Sequence, residues 1–227
     1  MARFILILFF IDAAINLWAE YSQQEVLILI SKPLLISLLA LWFFIKTRPF
    51  RHPFERWILV GLLFSIGGDT LLMFVENGPK DDRFFLLGLG SFLLAQLSYL
   101  TGFLKYPDAR TGAVSQRPFL ALPFLLYLIV LLSSLWEGIP EAMTLPVAIY
   151  ALAIVGMAVA AYNLRNKLPF TAFSPLIAGV LLFVLSDSLI AINKFGDPIP
   201  LARIFIMSTY IIGQYLIVLG VIKTRKA

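Results

Sequence analysis

Cysteine is absent from this chain, and histidine occurs once, as His52 in the charged stretch RPFRHPFER. The first absence excludes disulfides, thiolate metal sites and a cysteine nucleophile. The second removes the histidine-rich zinc sites that many membrane hydrolases use. Only a carboxylate-held metal would remain, and neither a metal nor a cofactor is expected. Charge is scarce as well: Asp, Glu, Lys and Arg make up 14% of the residues, against about 25% in soluble domains. No G-x-S-x-G elbow, H-E-x-x-H pair or G-x-x-x-x-G-K-[ST] loop occurs. GLGS at Gly88–Ser91 reads as small-residue helix packing rather than a phosphate loop.

What the chain has in excess is hydrocarbon. Sixty per cent of the residues are hydrophobic and the mean hydropathy is +0.92, so lipid must be the solvent for most side chains. A spanning helix needs about 20 mainly apolar residues. The runs that qualify are 4–20, 26–45, 57–75, 84–104, 118–136, 143–163, 174–193 and 202–222. The expected fold class is therefore an all-α integral membrane protein with eight transmembrane helices, forming one polytopic domain over 1–227. Arg3 precedes an apolar run, but Asp12 interrupts it and no small-x-small cleavage site follows, so the first run is expected to stay as a helix.

The basic pI of about 9.5 does not point to nucleic acid, because the cations sit between apolar runs. One set of alternate connections holds Arg3, Lys46, Arg48, Arg51, Arg56, Lys105, Arg110, Arg117, Arg165, Lys167, Lys223, Arg225 and Lys226. The other set holds only Lys80, Arg83, Lys194 and Arg203, beside the acidic Glu20, Glu25, Glu76, Asp81, Asp82, Glu137, Glu141 and Asp197. The positive-inside rule then places both termini in the cytoplasm.

Shifting the chain by 118 positions aligns its polar landmarks. Trp18 meets Trp136, Gly61 meets Gly179, Asp69 meets Asp187, Gln96 meets Gln214 and Gly102 meets Gly220. Four spans per half make this a parallel 4+4 repeat, with halves at about 1–117 and 118–227.

Four ionisable residues fall inside the spans: Asp12, Lys32, Asp69 and Asp187. A charge at the bilayer centre costs roughly 2.5–3.5 kcal/mol, so such residues face the bundle interior. Each lies seven or eight residues from the same membrane face, about 10–12 Å deep at 1.5 Å per residue. Asn16 shares the face of Asp12, Tyr99 that of Gln96, and Tyr210 that of Gln214. A structural polar layer is the bland reading, since Asp–Lys pairs and Gln amides hold spanning helices together. Three aspartates against one lysine do not cancel, however. A carboxylic acid beside a carboxylate suits general acid–base work. Pro33 would free backbone carbonyls beside Lys32.

At these residues the chain resembles the YhhN family, the transmembrane lysoplasmalogenases. The matching segments are SKPLL at Ser31–Leu35, GDTLLM at Gly68–Met73, the Gln96–Tyr99 stretch, LSDSLIA at Leu185–Ala191 and YIIGQYLIVLG at Tyr210–Gly220. The resemblance covers essentially the whole chain. It implies hydrolysis of the vinyl ether bond of lysoplasmalogen, a lysophospholipid, to a fatty aldehyde and a glycerophospho-ethanolamine or -choline. It implies that Asp69 and Asp187 are the essential aspartates and that Lys32–Pro33 is the family's Lys-Pro. Gln96 stands where many members carry His; an amide cannot shuttle a proton, which leaves it a supporting role.

The chemistry suits two carboxyls. Protonation of the vinyl ether at its β-carbon gives an oxocarbenium-like cation, water adds, and the hemiacetal collapses. One of Asp69 and Asp187 would be the acid and the other the base and cation stabiliser. Lys32, Asp12, Asn16, Gln96, Tyr99, Tyr210 and Gln214 would hold substrate or water. The expected location is a bacterial inner membrane, and the expected partners are the lysophospholipid substrate and membrane lipid, with no nucleic acid. Two rival readings use the same residues. A proton-coupled transporter also employs midplane aspartates, but the chain is small and its repeat parallel. A structural scaffold is disfavoured by the uncancelled charges.

Overall fold

A computed structural model describes residues 1–77 and 82–225, with residues 75–77 and 82 described by backbone alone. Lys80, Asp81 and Lys226, which entered the charge balance, lie outside the described residues. The described chain is helical: α1 (Ala2–Ser22), α2 (Glu25–Thr47), α3 (Pro53–Asn77), α4 (Asp82–Leu104), the short α5 (Ala113–Gln116), α6 (Leu122–Leu135), α7 (Glu141–Asn163), α8 (Phe170–Phe195) and α9 (Ala202–Thr224). Eight of the segments among the described residues are long and apolar enough to cross a membrane. The expected all-α membrane architecture holds. Most helices run a few residues past the apolar runs, because capping and first-turn polar residues continue the backbone ladder beyond the hydrocarbon.

The chain divides into two compact units, Met1–Gly102 and Phe103–Ala227. In the first, α1 and α2 form a tight hairpin. Gln23 takes a left-handed conformation (φ 55°) and donates its N–H to Ala19 O, which closes α1 within two residues of α2. The next corner is held by Glu55, whose Oε2 accepts the backbone N–H groups of Arg51 and His52 at 2.7 and 3.4 Å. That is the carboxylate half of a capping box at the start of α3. Helices α3 and α4 meet where Ser91 Oγ donates to Phe64 O at 2.7 Å. The ring of Tyr99 lies over Gly61, where a Cβ would stand 2.3 Å from Cε1.

In the second unit α8 and α9 approach backbone to backbone. A Cβ on Gly179 would sit 2.5 Å from Ile217 N and 2.6 Å from Gly213 O. Small residues of this kind let membrane helices close without an aqueous hydrophobic drive. The connector before α6 is tied to the end of α7 by one buried amide. Asn163 Oδ1 accepts the N–H groups of Val114 and Ser115 at 2.9 and 3.0 Å, and its Nδ2 donates to Ala109 O at 2.7 Å. Helix α6 is the least buried of the spanning helices.

Some contacts recur at the 118-residue offset. Gly61 faces Tyr99 and Gly179 faces Ile217; Gly102 faces Ile58 and Gly220 faces Leu176. In each pair both partners are displaced by 118.

Candidate active site

All nine residues singled out from the sequence are buried: Asp12, Asn16, Lys32, Asp69, Gln96, Tyr99, Asp187, Tyr210 and Gln214. On the same helices Phe10, Ile15, Ile30 and Leu185 are exposed. Polar side chains turn inward and hydrocarbon outward, as a bilayer demands.

In the first unit, α1 presents Asp12, Asn16 and Glu20 at four-residue intervals on its buried side. Asn16 Nδ2 donates to Ser31 Oγ across the hairpin at 2.9 Å, and Ser31 Oγ donates to Leu27 O. Lys32 Nζ forms an ion pair with Glu20 Oε1 at 3.4 Å, with both side chains almost wholly buried. Glu20 is thus not the loop acid the sequence suggested. It lies inside α1, and only the hairpin register could have revealed that. Its burial gives Lys32 a charged partner within the hairpin. Among the described residues, Asp12 Oδ2 and Asn16 Oδ1 have no hydrogen-bond partner. Acceptors of this kind are set to receive a hydroxyl or water proton. Asp69 is 3% exposed, within α3 and one residue after Gly68, over which the Phe92 ring of α4 is packed.

In the second unit, the Tyr150 hydroxyl of α7 donates to Asp187 Oδ2 at 2.5 Å. Around Asp187, Ser186 Oγ donates to Ile206 O at 3.0 Å, and Ser188 Oγ exchanges a hydrogen bond with the Tyr127 hydroxyl of α6 at 2.5 Å. Tyr210 of α9 stacks its ring at 5.8 Å from Phe183, one turn before Asp187. Asp187 thus takes the Tyr150 hydroxyl of α7, while its chain neighbours Ser186 and Ser188 tie α8 to α9 and to α6. Sequence reading missed Tyr150, yet a signal existed: the 118-residue shift carries Lys32 onto Tyr150 just as it carries Asp69 onto Asp187.

No group of three or more His, Cys, Asp or Glu suited to a metal occurs among the described residues.

The YhhN family profile matches residues 27–221. The chain belongs to the YhhN family. Among curated YhhN-like relatives, it is 33% identical over 199 residues to "Lysoplasmalogenase TMEM86A" of Homo sapiens, covering 84% of this chain and 77% of the relative. The bovine protein of the same name is 31% identical over 200 residues, with the same two coverages. A "Lysoplasmalogenase" of Mycobacterium bovis is 33% identical over 149 residues, covering 63% of this chain and 53% of the relative. No solved structure matches. The matched region takes in Lys32, Asp69, Tyr150 and Asp187, whereas Asp12, Asn16 and Glu20 lie before it.

Proposed function

We infer that this YhhN protein is a membrane-embedded lysoplasmalogenase. It cleaves the vinyl ether bond of a lysophospholipid to a fatty aldehyde and a glycerophospho-ethanolamine or -choline. The observation that carries this reading is that Asp69 on α3 and Asp187 on α8 are each buried, in a chain whose relatives bear the name lysoplasmalogenase. The repeated glycine contacts support treating the two helices as equivalent halves of a duplication.

One carboxyl transfers its proton to the β-carbon of the vinyl ether, and the ether oxygen takes up the positive charge. Glycosidases meet a similar oxocarbenium-like state with paired carboxyls. The ionised carboxyl stabilises that cation and then accepts a proton from the attacking water. The hemiacetal that results loses its glycerol oxygen as an alcohol and leaves the aldehyde. Tyr150 fixes the orientation of the Asp187 carboxyl. Lys32 and Glu20 form a charge pair at the hairpin, and Asp12, Asn16, Gln96 and Gln214 present hydrogen-bonding groups to substrate or water. The same reading puts both ends of the chain on the cytoplasmic side of a bacterial inner membrane, on the strength of its basic-residue bias.

The test is to supply lysoplasmalogen to purified protein in lipid and measure released aldehyde. Asp69→Asn and Asp187→Asn should each lower turnover by about 10²–10⁴-fold, the usual contribution of a positioned acid or base. Full activity in either folded variant overturns the two-carboxyl mechanism. Solute flux into proteoliposomes with no aldehyde formed would favour the transporter instead.

A further inference from the structure

Within one turn of Asp187 along α8, Val184 and Leu185 line a cavity of about 330 Å³ between α6, α7 and α8. Phe124 and Tyr127 wall it from α6, Val155 and Ala158 from α7, and Leu181 and Val184 from α8. Its volume is at the lower end of the range for small-molecule sites, about 300–1,000 Å³. Among those six residues the one side-chain polar atom is the Tyr127 hydroxyl, and that is bonded to Ser188. Whatever fills this space meets carbon.

Its position relative to Asp187 has a direction. Helices α7 and α8 are consecutive and joined by the bond between Tyr150 and Asp187. Val155 and Ala158 lie about 7.5 and 12 Å along α7 from Tyr150, towards the Asn163 end. Val184 and Leu181 lie about 4.5 and 9 Å from Asp187, towards the Phe170 end. Asn163 and Phe170 flank the same short connection. Both displacements therefore run towards one membrane face, so on α7 and α8 the cavity extends to that side of the carboxyl, while on α6 Tyr127 reaches Ser188, the residue after Asp187. In the other direction Asp187 is about 12 Å from the end of α8 at Phe195. The back wall of Val155, Ala158 and Val184 is buried, while Tyr127 and Leu181 at the rim are exposed.

We propose that this cavity is the hydrocarbon-chain site, holding the alkenyl tail of the single-chain substrate while its vinyl ether lies at Asp187 and its head group at the nearer membrane surface. The proposal rests on the reading of the chain as a lysophospholipid hydrolase. A single-chain amphiphile has one polar end and one apolar tail, and its ether bond lies where they join. The site has the same order: near surface, carboxyl, then a slot of carbon. The exposed rim lets the tail enter sideways from the bilayer, so no charged head group need cross the hydrocarbon.

Two measurements test this. The first uses a saturated ether lysophospholipid, which lacks the vinyl group, with a photoreactive diazirine in its chain. In the intact protein in phosphatidylcholine vesicles, labelling should concentrate on Phe124, Val155 and Leu181, and excess unlabelled lysoplasmalogen should suppress it. Labelling spread evenly over the lipid-exposed faces, or unmoved by competitor, would mean bulk lipid only and overturns the site. The second is Ala158→Phe, which fills the back wall. The ratio of kcat/KM for a long-chain over a short-chain lysoplasmalogen should fall about tenfold or more, since chain atoms lose their pocket. An unchanged ratio in folded protein overturns the proposal. Photolabelling needs no turnover, so it still decides the site if the wild-type protein cleaves no vinyl ether and the functional reading fails.

Discussion

Lys32 and Tyr150 stand 118 residues apart at matched positions, one charged and one neutral, and this difference separates the two halves chemically. Tyr150 reaches Asp187 through its hydroxyl, whereas Lys32 is paired with Glu20. Tyr150→Phe removes a single oxygen and with it a hydrogen bond to an ionisable acceptor, worth about 1.5–3 kcal/mol. The expected result is a fall in kcat of roughly ten- to a hundredfold with KM nearly constant. A fall that instead tracks lost thermal stability would reduce Tyr150 to packing. Glu20→Gln tests the other half. Removing one partner of a buried ion pair costs about 3–5 kcal/mol, while replacing both costs far less. Unfolding measurements should therefore find Glu20→Gln less stable than Glu20→Gln combined with Lys32→Met. Additive effects would dissolve the pair. Glu20 was not legible as a site residue, and Tyr150 was marked only by the 118-residue offset that matches it to Lys32. A tyrosine in an apolar run resembles any other aromatic, and Glu20 borders the polar stretch Tyr21–Gln24 that ends the run. The three aspartates and Lys32 stood out because their charge has no reason to be in hydrocarbon.

Glycine decides how closely the helices approach. On α8, Gly179 leaves no room for a methyl group against the α9 backbone, and Gly220 is similarly close to Leu176. Gly179→Ala should separate α8 from α9 and lower the melting temperature markedly, because the atoms in the way are backbone and cannot rotate aside. Gly90, on α4, has open space where its Cβ would be. Gly90→Ala should leave stability equal or raise it by about 0.5–1 kcal/mol, through the lower chain entropy of alanine. If both variants melt alike, close approach is not what Gly179 provides. The eight spanning helices were readable as elements because hydropathy averages over a long window. Their pairing was not, since a contact such as Asn163 with Ala109 joins residues 54 positions apart and leaves no trace in local composition. The duplication offset comes nearest to an exception: it marked Gly61 and Gly179 as equivalent before either had a partner.

For the molecule as a whole, the proposed orientation rests on the eight spanning helices among the described residues and on the excess of basic residues in one set of connections. Reporter fusions at the N-terminus and the C-terminus should both read cytoplasmic. If both read outside, the positive-inside assignment fails and Asp187 lies nearer the opposite leaflet than expected. Fold class was legible throughout because too few polar residues exist to cover a surface facing water.

The proposed slot between α6, α7 and α8 is exposed at Tyr127 and Leu181. An enzyme fed through such an opening samples a two-dimensional solution. Its rate should follow the mole fraction of substrate among the surrounding lipids, not the amount per litre of buffer. Diluting the substrate with inert lipid at fixed bulk concentration should slow the enzyme, whereas diluting the whole suspension with buffer should leave the rate per enzyme almost unchanged. The products would then part company. The aldehyde stays dissolved in the hydrocarbon, the glycerophosphate fragment leaves into water, and their separation between two phases pulls the reaction forward.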